Sequence, residues 1–252
     1  MSLIDFNRIW KTYPKKVGDR AHTALSDVSF IVNKGETLGL VGANGAGKST
    51  TLRLLMGFMR PEKGSIRIFN ETPANHHIRH RIGYLPETAS FPSNLNIMDM
   101  LRFAGRTCLM PVEQTTSASE KWLKLLGLWE SRKRPLRNYS KGMQQRANFV
   151  LALLNDPDLL ILDEPMSGLD PFGRAEIFDL IQNLNRQGKT IIFCSHILED
   201  VDRLVDKVLV LHKGKNLFCG RVADLMVKQD AGTFVDAFLK IVGATNESDR
   251  FN

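Results

Sequence analysis

The sequence has 252 residues, 43% of them apolar and 24% charged, so disorder is not the default and a sizeable core is allowed, either one large α/β domain or a core with a subdomain. No stretch approaches the roughly 18 uncharged apolar residues of a membrane span, and Met1-Ser2-Leu3-Ile4-Asp5 lacks the basic and hydrophobic regions of a signal peptide, so a cytosolic chain with no pore of its own is expected. The formal charge of +7 fits nucleic acid, an anionic membrane surface or a nucleotide ligand alike, whereas Cys108, Cys194 and Cys219 form no Cys-x-x-Cys pair and indicate neither a disulfide framework nor a zinc site.

In chain order, the alternation from Thr23 to Val32 followed by Asn33-Lys34-Gly35-Glu36 predicts strands joined by a turn, and with them an antiparallel β-layer opening the domain. The apolar stretch Thr37-Leu38-Gly39-Leu40-Val41 then enters Gly42-Ala43-Asn44-Gly45-Ala46-Gly47-Lys48-Ser49-Thr50. Strand, glycine-rich loop and helix start follow one another with the Gly-x4-Gly-Lys-Ser spacing of a phosphate cradle. The glycines let backbone N–H groups turn onto β- and γ-phosphates, and the helix opening at Lys48 aims its positive dipole end at the same charge. Lys48 is expected to bridge the terminal phosphates and Ser49 to ligate Mg²⁺, so the chain is expected to bind a nucleoside triphosphate.

Thr50 to Met59 has helical spacing and leads through Arg60-Pro61-Glu62-Lys63-Gly64 to a strand at Ser65-Ile66-Arg67-Ile68-Phe69. Asn96 to Thr107 and Ser119 to Leu128 predict amphipathic helices separated by a polar, proline-marked stretch. They imply a helical subdomain at about residues 88–150, inserted in the α/β core. The basic cluster from Glu130 to Arg137 reads as a solvated helix end, or as a contact for lipid head groups or a protein partner, and no aromatic interleaving supports a nucleic-acid groove. Leu159-Leu160-Ile161-Leu162 is a buried strand ending in Asp163-Glu164, and Ile191-Ile192-Phe193-Cys194 is another ending in Ser195-His196. Ligands of open parallel sheets collect at the carboxyl ends of strands, so both polar pairs are expected to face the phosphate loop. Lys207 to His212, the turn Lys213-Gly214-Lys215 and a mixed helical tail close the chain.

With the phosphate loop, the strand into Asp163-Glu164, and Pro165-Met166-Ser167-Gly168-Leu169-Asp170 in that order, the chain resembles the nucleotide-binding subunit of an ABC transporter. The intervening Tyr139-Ser140-Lys141-Gly142-Met143-Gln144-Gln145-Arg146 is similar to the ABC signature sequence, which a general P-loop ATPase lacks. The likeness runs from about residue 3 to about residue 243, as a single ABC ATPase domain spanning 1–243 with a short tail at 244–252. It implies a P-loop NTPase core of the α/β class with a mainly parallel sheet, an N-terminal antiparallel β-layer and the inserted helical subdomain.

Residue by residue, the resemblance makes Tyr13 the aromatic that stacks on adenine, with Trp10 close enough to compete. Gly42, Asn44, Gly45, Ala46, Gly47, Lys48, Ser49 and Thr50 become the ATP-binding loop. Tyr84-Leu85-Pro86-Glu87 matches the loop that reaches Mg²⁺ and the attacking water and contacts the membrane subunit, although most of the family has glutamine in place of Glu87. Asp163 would hold Mg²⁺ through water, Glu164 would polarise the water that attacks the γ-phosphate, and His196 would hydrogen-bond that phosphate. The signature keeps Ser140 and Gly142, a hydroxyl and a helix N-terminus for a γ-phosphate. Lys141 and Met143 depart from the common Leu-Ser-Gly-Gly-Gln form, and Lys141 either attracts phosphate or faces solvent. This form, with Tyr-Leu-Pro-Glu, resembles the ATPases of type-two ABC exporters.

The resemblance implies two such chains, either two copies or one with a homologous subunit, closing head to tail over two ATP. Ser140 and Gly142 then act in trans, and Ser167, Gly168 and Asp170 line the seam. Integral membrane subunits would be driven from the cytoplasmic face of the membrane, and no nucleic acid is expected as partner. Three readings compete: an exporter ATPase; the same ATPase driving envelope proteins or extracting lipids without exporting a solute; and a soluble ABC ATPase acting on ribosomes or DNA, a class that usually carries two cassettes or a long insertion, neither visible here.

Overall fold

The computed structural model describes residues 1–14, 22–88, 90–92 and 94–248. These form two compact units, one of Met1–Asn75 with Ile192–Asn252 and one of His76–Ile191.

The first unit opens with the expected antiparallel layer. Strand β1 (Ser2–Tyr13) lies between β2 (His22–Asn33) and β4 (Lys63–Ile68). The period-two pattern sets the register: Ile4 stands opposite Val32 and Phe6 opposite Phe30, all buried, and the two phenyl rings stack with centroids 4.6 Å apart. Each such ring contributes about 1.5–3 kcal/mol by burial. The register shifts between Phe6 and Ile9, where Arg8 is left-handed (φ 51°) and donates its N–H to Ser29 Oγ at 2.8 Å. This is a bulge with its loose donor satisfied by a side chain.

A second sheet carries β3 (Thr37–Val41), every residue buried. It pairs in parallel with β8 (Lys207–His212), which pairs antiparallel with β9 (Lys215–Gly220). Strand β7 (Thr190–Cys194) ends in this unit, and the order here is β7-β3-β8-β9. Helices α1 (Lys48–Leu55), α6 (Leu198–Leu204), α7 (Val222–Lys228) and α8 (Phe234–Ser248) complete it. A Cβ on Gly39 would come within 2.6 Å of Val201, so the missing side chain lets α6 pack onto β3.

In the second unit, β5 (Ile82–Leu85) and β6 (Leu159–Asp163) pair in parallel, from Ile82 opposite Leu159 to Leu85 opposite Leu162, with the start of β7 next in order. Around them lie α2 (Ile97–Thr107), α3 (Val112–Leu125), α4 (Lys141–Leu153) and α5 (Pro171–Arg186). Asn96 and Asp99 close a capping box on α2. The helix expected from Ser119 starts instead at Val112. Pro111 occupies its N-cap, and the first turns are polar and mostly exposed, so no apolar period marked them. Gly105 abuts the Thr115 side chain, bringing α2 close to α3.

Candidate functional site

The phosphate loop belongs wholly to the first unit. Gly42, Gly45 and Gly47 have φ of 156°, 80° and 112°, backbone angles that favour glycine. A Cβ on Gly47 would lie 2.7 Å from both Ala24 O and Leu25 Cδ2. The loop is tied down by backbone bonds: Ala46 N–H donates to Ala43 O (3.0 Å), Gly214 N–H to Ala46 O (3.0 Å) and Ser26 N–H to Gly214 O (2.8 Å). Helix α1 begins at Lys48 with Gly47 as N-cap, no side-chain cap and no acid in its first turn. Contrast α2, where the Asn96 side chain accepts the Asp99 N–H. The free donors and positive dipole end of α1 suit an anion. Lys48 Nζ donates to Gly42 O (2.5 Å) and Ala43 O (3.2 Å), which places its ammonium over the loop.

Asn44, Gly45 and Ser49 are exposed, whereas Ala46 and Thr50 are buried. The Tyr13 hydroxyl lies 3.2 Å from Thr50 Oγ1 and donates toward Met59 Sδ at 3.7 Å, against the first turn of α1. Trp10 is exposed, with Lys63 Nζ 5.7 Å from its ring centroid. At the end of β7, Ser195 is buried and its Oγ accepts the Ile197 N–H at 3.1 Å, while His196 is exposed.

The second unit holds the other expected residues. Because β5 and β6 run parallel, Glu87 and the pair Asp163-Glu164 leave the same edge of their sheet. Glu87 is exposed, Asp163 is 8% exposed, and Glu164 is half-buried with φ 49°. A tight turn follows, closed by the Ser167 N–H on Glu164 O at 3.0 Å. Ser167 is exposed, and Asp170 caps α5 by accepting the Gly173 N–H at 2.7 Å.

Ser140 is the N-cap of α4, its Oγ accepting the Met143 N–H at 3.2 Å. Lys141 is exposed at its tip, with its stem against Gly168, where an added Cβ would meet Lys141 Cδ at 3.1 Å. Gly142 faces Gly168 O and Leu169 Cδ2, each 3.6 Å from where its Cβ would be, which is ordinary contact. Burial pushes the Tyr139 phenol up despite nearby Arg134, and its hydroxyl donates to Ser131 O at 2.9 Å.

Two residues near the site were not singled out from sequence. Gln145 is 4% exposed and donates to the carbonyls of Glu164 and Pro165. Arg146 pairs with Glu176 at 2.8 Å. Helical phase was the available signal for Gln145: with Asn148, Phe149 and Ala152 it lies at i, i+3, i+4, i+7 on the buried face, and a buried amide requires partners.

No helix among the described residues is long and apolar enough to cross a membrane. Residues 25–167 match a family model described as ABC transporter. An uncharacterized ABC transporter ATP-binding protein of Synechocystis sp. is 40% identical over 81% of this chain and 58% of its own length, and one of Nostoc sp. is 39% identical over 82% and 62%. The chain thus spans about three fifths of the length of these relatives. A Nod factor export ATP-binding protein I of Ralstonia nicotianae is 32% identical over 89% of this chain and 70% of its own. Among solved structures, an ATP binding subunit of an ABC transporter superposes with a TM-score of 0.86 at 28% identity, covering 95% of this chain and 99% of that one. Its fold is the α/β P-loop cassette expected from the sequence. The chain belongs to the ABC transporter family.

Proposed function

We propose that the chain binds and hydrolyses ATP as the motor subunit of an ABC exporter, closing head to tail with a second copy or a homologous subunit and driving separate integral membrane subunits from the cytoplasmic face. The observation that carries this reading is the start of α1: a helix N-terminus with no cap and no acid, entered through left-handed glycines, with the Lys48 ammonium over the loop. Phosphate bound there meets backbone N–H groups, a dipole end and a cation together.

Hydroxyl and carboxylate oxygens are the donor type that Mg²⁺ takes, as a hard cation that keeps its own waters. The exposed Ser49 hydroxyl would ligate it, and the carboxylates of Asp163 and Glu87 would hold it through water. When bound, it neutralises charge on the phosphates. Glu164 accepts the proton of the attacking water, and His196 donates a hydrogen bond to the γ-phosphate and orients that water. Tyr13 stacks on adenine. In trans, Ser140 and the N-terminus of α4 at Gly142 contact the γ-phosphate of the partner's ATP. Ser167, Gly168 and Asp170 line the seam. ATP joins the two copies by supplying charge that both contact, and hydrolysis removes the bridge.

Export draws support from the Nod factor export relatives and from the Tyr139-Ser140-Lys141-Gly142-Met143 and Tyr84-Leu85-Pro86-Glu87 forms. The test is capture of tagged Glu164→Gln protein with ATP from detergent-solubilised membranes of the native host. A multi-span protein in roughly equal amount is expected. Ribosomes, DNA or no membrane protein at all would overturn the transport reading.

A further inference from the structure

Glu164 occupies a backbone conformation that its sequence resists. Its φ of 49° lies in the left-handed region, which side chains beyond glycine, asparagine and aspartate seldom enter. The next residue is Pro165, whose ring crowds its predecessor toward extended angles. Such a turn persists only where its surroundings over-determine it.

The peptide entering Glu164 is fixed by β6, which ends at Asp163 and pairs with β5. What leaves it is held by the Ser167 N–H on Glu164 O at 3.0 Å and by Gln145, whose side chain bonds both carbonyls that follow. From the buried face of α4, Gln145 Nε2 donates to Pro165 O at 2.9 Å and to Glu164 O at 3.3 Å. Both partners are carbonyls, so only the nitrogen end of the amide can face them; turned over, three oxygens would meet. Two consecutive carbonyls converging on one nitrogen fix both peptide planes that follow the Glu164 α-carbon. With the preceding plane held by the strand, the direction in which the Glu164 side chain leaves the backbone has little freedom left.

We infer that Gln145 is a positioning residue for ATP hydrolysis: its side-chain amide sets the orientation of the Glu164 carboxylate by clamping the Glu164-Pro165 turn. The inference rests on the proposed role of Glu164. Its site is the helix that Ser140 caps, so the signature segment and the orientation of the carboxylate belong to one rigid piece of α4. Any shift of that helix on nucleotide contact is passed through the amide to the turn.

The experiment compares the full-length wild type, Gln145→Met, Glu164→Gln and the double variant. Methionine keeps the length of glutamine and removes both donors. Gln145→Met is expected to lower kcat at least about tenfold, as misplacement of a reacting group does, with KM for ATP within about twofold and full nucleotide-binding stoichiometry. In the Glu164→Gln background, where no carboxylate remains to be placed, the same change should leave the residual single-turnover rate unaltered. Wild-type kcat in Gln145→Met, or the same loss in both backgrounds, would overturn the inference. If Gln145→Met does not fold, Gln145→Asn, polar but one methylene too short to reach both carbonyls, must give the same pattern. Normal turnover by Glu164→Gln overturns the role of Glu164 and this inference with it. Normal kcat in Gln145→Met beside an inactive Glu164→Gln overturns Gln145 alone.

Discussion

The phosphate loop of the first unit and the signature and strand-end turn of the second are held by different means. The loop is made by glycine backbone angles and by main-chain bonds between Ala43, Ala46, Gly214 and Ser26, with one long side chain, Lys48, laid over it. The second region is a set of helix starts and a strained turn, each held by a side-chain bond: Ser140 on Met143, Asp170 on Gly173, and Gln145 on Glu164 and Pro165, the turn being closed as well by the Ser167 N–H on Glu164 O. A backbone-made cradle is formed before its ligand arrives and tolerates most changes of side chain. A region clamped by individual side chains can be retuned or broken one residue at a time, which suits segments that must respond to a partner.

The sharpest way to set the two apart is to remove one chemical group from each. Glu164→Gln is expected to lower turnover about a thousandfold, the range of a lost general base, while ATP affinity is kept and an ATP-bound dimer accumulates in size-exclusion chromatography. Multiple turnover near the wild-type rate would remove Glu164 from its role. Lys48→Ala should instead weaken ATP binding itself, about a hundredfold, because about two charge-assisted contacts of ~1.5 kcal/mol each are lost. An unchanged dissociation constant in a calorimetric titration would mean that the glycine backbone alone makes the cradle.

The same difference decides what the sequence discloses. Glycine requirements and strand burial are local, so the loop, β3, β6 and β7 are legible as residue patterns within one or two positions of their observed ends. The first turns of α3 are not, because Val112 to Ala118 packs little apolar surface and Pro111 marks a helix cap there rather than a break. Asp163-Glu164 is visible as two carboxylates ending an apolar run, but the left-handed angle of Glu164 and its hold by Gln145 depend on residues nineteen apart in the chain. A buried amide announces that it has partners without saying which.

A smaller effect tests whether Gly142 serves the chain itself or something that approaches it. Its φ is not left-handed, and a Cβ there would make only ordinary 3.6 Å contacts with Gly168 O and Leu169 Cδ2. Within the first turn of α4, alanine should therefore be neutral or stabilising by up to about 1 kcal/mol. Gly142→Ala is expected to keep or raise the thermal midpoint while lowering ATPase activity about tenfold, since in the proposed dimer the added methyl group stands at a helix N-terminus that the partner's phosphate reaches. Lost stability would return the glycine to a role within its own fold.

The smallest effect separates two jobs at Asp170, which caps α5 through the Gly173 N–H at 2.7 Å and which the proposed dimer places at the seam. Asparagine caps a helix about as well as aspartate, whereas alanine costs about 1 kcal/mol, worth about 2–4 °C in a chain of this size. Asp170→Ala should lower the thermal midpoint by that amount, and Asp170→Asn should not. If the carboxylate also carries coupling across the seam, Asp170→Asn will reduce the cooperativity of ATP hydrolysis at unchanged stability. If Asp170→Asn is wild-type in both measurements, the residue is a cap alone, and in the proposed dimer coupling across the seam falls to Ser167 and Gly168, both exposed, the latter beside the stem of Lys141.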